Sequence, residues 1–396
     1  MERDYKYYKD IFKGQNLPLA YVDLDLFDEN VKNILPRAGD KKIRVASKSV
    51  RCTSLLKRVL DSNVAYQGLM CFTVPEAIYL SQQGFDDLLV AYPTTQIEQL
   101  KAACAEVASG KTIIMMVDSK EHLVSHEAAA KETGVTLPIC MDIDMSSKFP
   151  GVHFGVMRSK ITNEEHAASL YEEINKCEHL NLMGIMGYEA QIAGLGDNYP
   201  GQALKNFGVK VLKGKSIKEV AARRDAVVKR LESLGAVLPL VNGGGTGSLE
   251  STREESVVTE VTVGSGFYAS GLFDNYTIFK HLPSAGYAIE IVRLPIPGIY
   301  TCHGGGYTAS GAIAADKQPK PYLPEGAKLT PNEGAGEVQT PIAYSGPELL
   351  EFGDPVLMRH SKAGELCERF NTLLLISDGK IVDEVPTYRG EGQCFL

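Results

Sequence analysis

The sequence predicts an α/β protein: a (β/α)8 barrel followed by a C-terminal β-rich domain. Three observations predict it. Eight short apolar runs recur through the first 263 residues, and segments of helical apolar spacing separate most of them. After about residue 282 the pattern changes to Pro, Gly and short Val/Ile/Leu/Tyr runs.

Taken in order, an apolar stretch at 19–24 leads into a helical pattern at 28–35. The β-rich runs lie at 43–46, 64–67, 86–91, 112–117, 137–142, 181–188, 238–242 and 257–263. Apolar residues at 3.6-residue spacing occupy 73–83, 94–107, 119–132, 169–176 and 216–234. Runs this apolar, alternating with helices, imply parallel strands buried on both faces. Eight such units close into a barrel of about 250 residues. The structural rival, an open doubly wound sheet, requires a glycine-rich turn after its first strand. Here that turn reads Ala46-Ser47-Lys48-Ser49-Val50-Arg51-Cys52, with no glycine. Gly208 and Gly214 interrupt the pattern of 206–234, which argues against one continuous helix there. Positions 315–341, rich in Pro, Gly and Lys, read as an extended loop. The expected division is an N-terminal segment 1–25 packing with the β domain, a barrel at 26–282 and a β-rich domain at 283–396.

The chain has 396 residues, enough for a large domain and a smaller one. Its formal net charge of −8 argues against nucleic acid as the main partner, because phosphate binding needs a basic face. No apolar run is long enough to span a bilayer, and positions 1–15 carry no signal-peptide core. A cytoplasmic protein without membrane partners is expected. None of the eight cysteines forms a CxxC pair, so thiols are expected rather than a disulfide framework.

Five places carry candidate chemistry. Lys48 ends the first barrel strand, on the face where active sites of such barrels collect. In apolar surroundings a lysine there suits attack on an aldehyde; a surface lysine at a strand end is the plain alternative. Asn242-Gly243-Gly244-Gly245-Thr246-Gly247-Ser248 follows the seventh strand. Consecutive glycines let N–H groups converge on an anion, and phosphate sites after strands seven and eight recur in this fold. Val263-Gly264-Ser265-Gly266 could close the same cup after strand eight. Tyr188, after strand six, could pack beside a cofactor ring. Asp142 and Asp144 project the same way from strand five, either into the barrel mouth or into salt bridges. Lastly, His360, Glu365 and Cys367 lie within eight residues and could bind a divalent metal. His303 is a further candidate polar group, whereas His122, His126, His166, His179 and His281 read as surface or packing residues.

With these motifs in this order, nearly the whole chain resembles the fold-type III pyridoxal-phosphate (PLP) enzymes. That is the alanine-racemase and D-threonine-aldolase group, here closest to its D-threonine aldolase and D-serine dehydratase branch. The carriers are Lys48 in Val45-Ala46-Ser47-Lys48, the Gly244-Gly245-Thr246-Gly247-Ser248 loop, Thr259-Glu260 before Gly264-Ser265, and Gly353-Asp354 leading to His360 and Cys367. The resemblance implies that Lys48 is the Schiff-base and catalytic lysine. It further implies that Gly245, Thr246, Gly247, Gly264 and Ser265 hold the phosphate and that Tyr188 lies near the cofactor. His360 would be catalytic and, with Cys367, would hold a divalent ion (Mn, Mg or Zn). The family's metal pair lies two residues apart, whereas His360 and Cys367 lie seven apart. Either a loop is inserted, or Glu365 substitutes, or the metal is gone. Ser49-Val50-Arg51 stands where the aldolase branch has a histidine. No arginine stands near Thr262, where racemases have one. The implied activity is retro-aldol cleavage of a small β-hydroxy-α-amino acid; β-elimination and racemisation are the alternatives. A PLP carrier protein is the non-enzymatic one, and the β-rich region after residue 282 argues against it. A homodimer is implied as well.

Overall fold

The computed structural model describes residues 2–312 and 314–396. It divides into two compact units. One comprises Met1–Asn33, Ser49–Ser54 and Ser265–Cys394; the other comprises Ile34–Lys48, Leu55–Gly264 and Phe395–Leu396.

The second unit is a closed barrel. Its strands are β1 (Lys42–Ala46), β2 (Tyr66–Cys71), β3 (Leu88–Val90), β4 (Ile113–Val117), β5 (Leu137–Asp142), β6 (Leu180–Gly187), β7 (Leu240–Gly243) and β8 (Glu260–Val263). Every neighbouring pair is parallel, and β8 closes onto β1 with Val263 beside Val45. Each of the eight runs expected from the sequence overlaps a barrel strand, although the second strand starts at Tyr66 and runs on to Cys71. Leu89, Ile114, Met116, Cys140, Met186 and Leu240 form one core cluster across five strands, with Ile114 and Met116 two apart on β4 as a pleat requires. Polar residues fill the same barrel between β7, β8 and β1. Buried Arg44 donates to Glu260 at 2.6 and 2.9 Å and to the Asp87 carbonyl at 2.7 Å. Asn242 donates to Glu260 at 2.7 Å and to Thr262 at 2.8 Å. A buried charge of this kind is tolerated because each of its hydrogen bonds is made. Gly68, at φ +65°, makes room for the arginine, since a Cβ there would strike the Arg44 guanidinium.

Helices connect the strands, and polar caps fix where several begin. Thr73, Ser119 and Asn163 accept from the backbone N–H three residues on, starting the helices Val74–Gln82, Lys120–Thr133 and Glu164–Ile174. The segment expected to break at Gly208 and Gly214 is one helix, Ala203–Ser233. Both glycines sit in open space, so they cost helix propensity without creating a packing defect. The buried stripe of Ser216, Val220, Arg224, Val227, Val228 and Leu231 anchors the helix.

The other unit holds a nine-stranded sheet. Its path runs Lys328–Leu329, Gln339–Ala343, Ile299–His303, Ala285–Ile296, Leu19–Asp23, Thr372–Ser377, Lys380–Pro386. Pro355–Arg359 branches from Ala285–Ile296 and pairs in turn with Lys320–Leu323. Leu19–Asp23 lies between strands far along the chain, antiparallel to Ala285–Ile296 and parallel to Thr372–Ser377. Positions 315–341 are therefore not one loop. They contain two short strands and the start of Gln339–Ala343; the Pro and Lys content of the first two suits sheet edges and hides the β pattern. Among the described residues, no helix is long and apolar enough to cross a membrane.

Candidate active site

Strand order brings the candidate residues of the barrel unit together. β6, β7, β8 and β1 are consecutive neighbours, with Gly187 beside Gly243, Gly243 beside Val261, and Val263 beside Val45. Tyr188, the Gly244–Ser248 turn, Gly264 and Lys48 follow these four strands at their C-terminal ends. They therefore share one arc of the barrel mouth, where barrels of this kind place their chemistry. Lys48 lies in the 3-10 turn Ser47–Ser49, which the Ser47 hydroxyl fastens by donating to the Met70 carbonyl at 2.9 Å. Its side chain is exposed, not enclosed by apolar residues as the sequence suggested. The turn carries it beyond Ala46, the last paired residue of β1.

The glycine turn is held from below by Glu189, a residue whose role the sequence reading missed. Its buried carboxylate accepts from the Ser248 hydroxyl at 2.8 Å, the Thr252 hydroxyl at 2.5 Å and the Arg224 guanidinium at 3.0 Å. Arg224, fully buried on the long helix, also donates to the Gly187 carbonyl at 2.8 Å and pairs with Glu255. Arg37 donates to the Thr246 carbonyl at 2.6 Å and pairs with Glu250. Within the turn, the Gly245 N–H donates to Ser248 Oγ at 3.1 Å and the Ser248 N–H to the Gly245 carbonyl at 3.0 Å. Gly245 must be glycine: a Cβ would lie 2.7 Å from Ala193 Cβ and 3.2 Å from the Tyr188 ring edge. The turn therefore packs directly beside Tyr188. Gly264 is buried at the end of β8. Ser265 begins the sheet unit, where its hydroxyl lies 3.4 Å from that of Ser49.

Arg158 is the second residue that sequence reasoning missed. Its guanidinium stands 5.2 Å from the Tyr92 ring centroid and 5.9 Å from that of Tyr188. It donates to Asp142 at 3.2 Å, so Asp142 takes the salt-bridging role, and Asp144 serves its own loop by accepting from the Ser146 and Arg158 amides. Arg158 follows Asp142 by sixteen positions across a hairpin, and no spacing rule connects the two. Burial pushes the Tyr188 hydroxyl up to about 12, with Glu189 adding to the shift. Burial also pushes Asp142 up to about 7, against the pull of Arg158; its Oδ1 has no hydrogen-bond partner. Between the ordinary value of 3.8 and about 7, the folded chain holds a proton at Asp142 that the unfolded chain has lost. Stability therefore falls as pH rises through this window. Urea unfolding at about pH 5 and about pH 7.5 checks this. The wild type is expected to lose stability relative to Asp142→Asn, and parallel pH profiles would contradict the assignment.

His360 and Cys367 lie in the sheet unit. His360 is fully buried, and neither ring nitrogen has a hydrogen-bond partner. Burial, aided by the Arg359 guanidinium, pushes it down to about 3, so the ring is neutral. Cys367 turns its thiol to the Val50 carbonyl at 3.3 Å and lies 4.0 Å from the Tyr268 hydroxyl. Glu365, one of the alternatives the sequence left open as a ligand, accepts from the amide and hydroxyl of Ser310. Among the described residues, no group of three or more His, Cys, Asp or Glu side chains is placed to hold a metal ion. Both ring nitrogens of His360 lack hydrogen-bond partners, as a ligand's would, whereas the Cys367 thiol and the Glu365 carboxylate are hydrogen-bonded elsewhere.

Residues 22–270 match the family description "Alanine racemase, N-terminal domain". The chain is 24% identical over 249 residues to 3-hydroxy-D-aspartate aldolase of Paracoccus denitrificans (strain Pd 1222), covering 63% of this chain and 59% of that one. It is 20% identical over 256 residues to D-threonine aldolase of Arthrobacter sp, covering 64% and 61%. The matched region thus spans about three fifths of these curated relatives. Among solved structures, the D-threonine aldolase from Filomicrobium marinum superposes with TM-score 0.80 at 16% identity, covering 95% of each chain. The D-threo-3-hydroxyaspartate dehydratase from Delftia sp. HT23 superposes with TM-score 0.72 at 16% identity, covering 97% of this chain and 99% of that one. At this identity the superpositions show a shared fold.

Proposed function

The chain belongs to the alanine racemase N-terminal domain family, and on that premise we propose that it is a PLP-dependent lyase cleaving a small β-hydroxy-α-amino acid by retro-aldol chemistry. One observation carries the reading: four adjacent strands deliver an exposed lysine, a glycine turn, Gly264 and a tyrosine to one arc of the barrel mouth. The turn after β7 fits a phosphate. Its glycine is dictated by close approach, and its internal hydrogen bonds occupy the Gly245 and Ser248 amides. The anion would be held by Thr246, Gly247 and Gly264. When bound, PLP supplies the electron sink.

The residues of the chain do the rest. Lys48 Nζ would hold the cofactor through its carbonyl carbon and would carry the proton at the reacting carbon of the substrate. Tyr188, neutral throughout the physiological range, and Arg158 beside it would flank the cofactor and orient it. The choice of cleavage over elimination or racemisation is supported by the two aldolases among the relatives, and the choice of β-hydroxy substrates by their names.

Product analysis with D-threonine and 3-hydroxy-D-aspartate tests the proposal. Glycine together with acetaldehyde or glyoxylate is expected. A keto acid with ammonia would replace the aldolase by a dehydratase. An inverted but otherwise unchanged amino acid would make it a racemase. Failure of borohydride to fix the cofactor to Lys48 would end the PLP reading.

A further inference from the structure

The sheet unit contains a cleft of about 510 Å³ that the barrel chemistry does not use. It opens where the parallel strands Leu19–Asp23 and Thr372–Ser377 begin side by side. Its size is that of a small-molecule site, but its lining is polar. Arg369 and Arg389 both face it, along with the amide side chains of Gln15, Asn16 and Asn371. Both arginines are exposed at the rim of the cleft, and among the described residues neither guanidinium has a carboxylate partner. Glu384 is the one carboxylate in the lining. It accepts from the Thr372 hydroxyl at 2.6 Å through Oε1.

The two arginines are held on one frame. Buried Thr387 donates its hydroxyl to the Phe370 carbonyl at 2.7 Å and its N–H to the Asn371 carbonyl at 2.9 Å. The same hydroxyl accepts the Gly390 N–H at 3.2 Å. The turn that carries Arg389 is thereby fastened to the segment that carries Arg369. Gly390 permits the approach, because a Cβ there would collide with the Asn371 carbonyl. The Arg369 guanidinium lies 4.8 Å from the Tyr307 ring centroid, which limits the orientations it loses on binding.

Two guanidiniums and one carboxylate complement a ligand with two carboxylates and one ammonium. A plain dianion would meet the like charge of Glu384. We propose that this cleft is a second ligand site of the protein, separate from the barrel, that binds an acidic α-amino acid. Arg369 and Arg389 take its carboxylates, the fork geometry of arginine matching each of them, and Glu384 takes its ammonium.

Calorimetric titration of the full chain with aspartate, succinate and inorganic phosphate tests this. Saturable one-to-one binding of aspartate is expected, tighter than that of succinate or phosphate. Arg369→Ala and Arg389→Ala are each expected to weaken it at least about tenfold, equivalent to about 1.4 kcal/mol. Glu384→Gln is expected to narrow the preference for aspartate over succinate, and Lys48→Ala to leave the binding unchanged. Binding that disappears in Lys48→Ala would belong to the barrel and overturn the proposal, as would aspartate affinity indifferent to both arginines. Tighter binding of succinate or phosphate would overturn the ligand class. The product analysis above decides the barrel chemistry independently, so either conclusion can fail alone.

Discussion

Lys48→Ala is expected to abolish turnover of every β-hydroxy amino acid while leaving the fold intact. The side chain is exposed and lies in a turn that Ser47 fastens through its own hydroxyl, so its removal creates no buried cavity. The catalytic loss is twofold. The cofactor loses its covalent anchor, and the proton carrier at the reacting carbon disappears; the second role alone is worth about 10²–10⁴-fold in rate. Lys48→Arg is expected to be equally inactive, since a guanidinium keeps the charge but not the nucleophile. Turnover assays with circular dichroism check both variants. A folded Lys48→Ala protein that retains even about one tenth of wild-type turnover would remove Lys48 from the mechanism.

Glu189→Ala is expected to be the most destabilising single change at the site, by about 3–5 kcal/mol. The variant strands Arg224 in the interior, leaving only the Gly187 carbonyl and Glu255 to offset its charge. It also leaves the hydroxyls of Ser248 and Thr252 without their shared acceptor. Domains are stable by only about 5–15 kcal/mol, so a loss of this size moves the urea midpoint clearly. The same variant frees the glycine turn, so affinity for the cofactor should fall with stability. Glu189→Gln keeps an oxygen for the hydroxyls but gives up the charge facing Arg224, and it should lie between the two. An unfolding midpoint unchanged in Glu189→Ala would show that Arg224 does not depend on this carboxylate.

The barrel was legible because its strands are uniformly apolar and evenly spaced; each of the eight runs overlaps a strand. Lys48 and the glycine turn were legible because strand-end position and glycine content are local properties. The parts that escaped are long-range. Glu189 stands next to Tyr188 in the sequence, yet its task is set by Ser248, Thr252 and Arg224, which only barrel closure brings near. Arg158 reaches Asp142 from across a hairpin. The long helix survived its glycines because tertiary packing of its later turns outweighs local propensity. The two edge strands within 315–341 escaped because proline and lysine, tolerated at sheet edges, mask β patterning.

The seam between β8 and β1 has a consequence for how the chain becomes functional. Residues 45 and 263 meet there, so the lysine and the end of β8 become neighbours only when the most distant strands of the barrel zip together. Contacts of such large sequence separation form slowly, and until then β1 offers an open edge to any other strand. On the proposed mode of binding, a cofactor held at this seam would act as a clasp: a ligand that binds the sealed form alone shifts the equilibrium toward sealing by RT ln(1 + [L]/Kd).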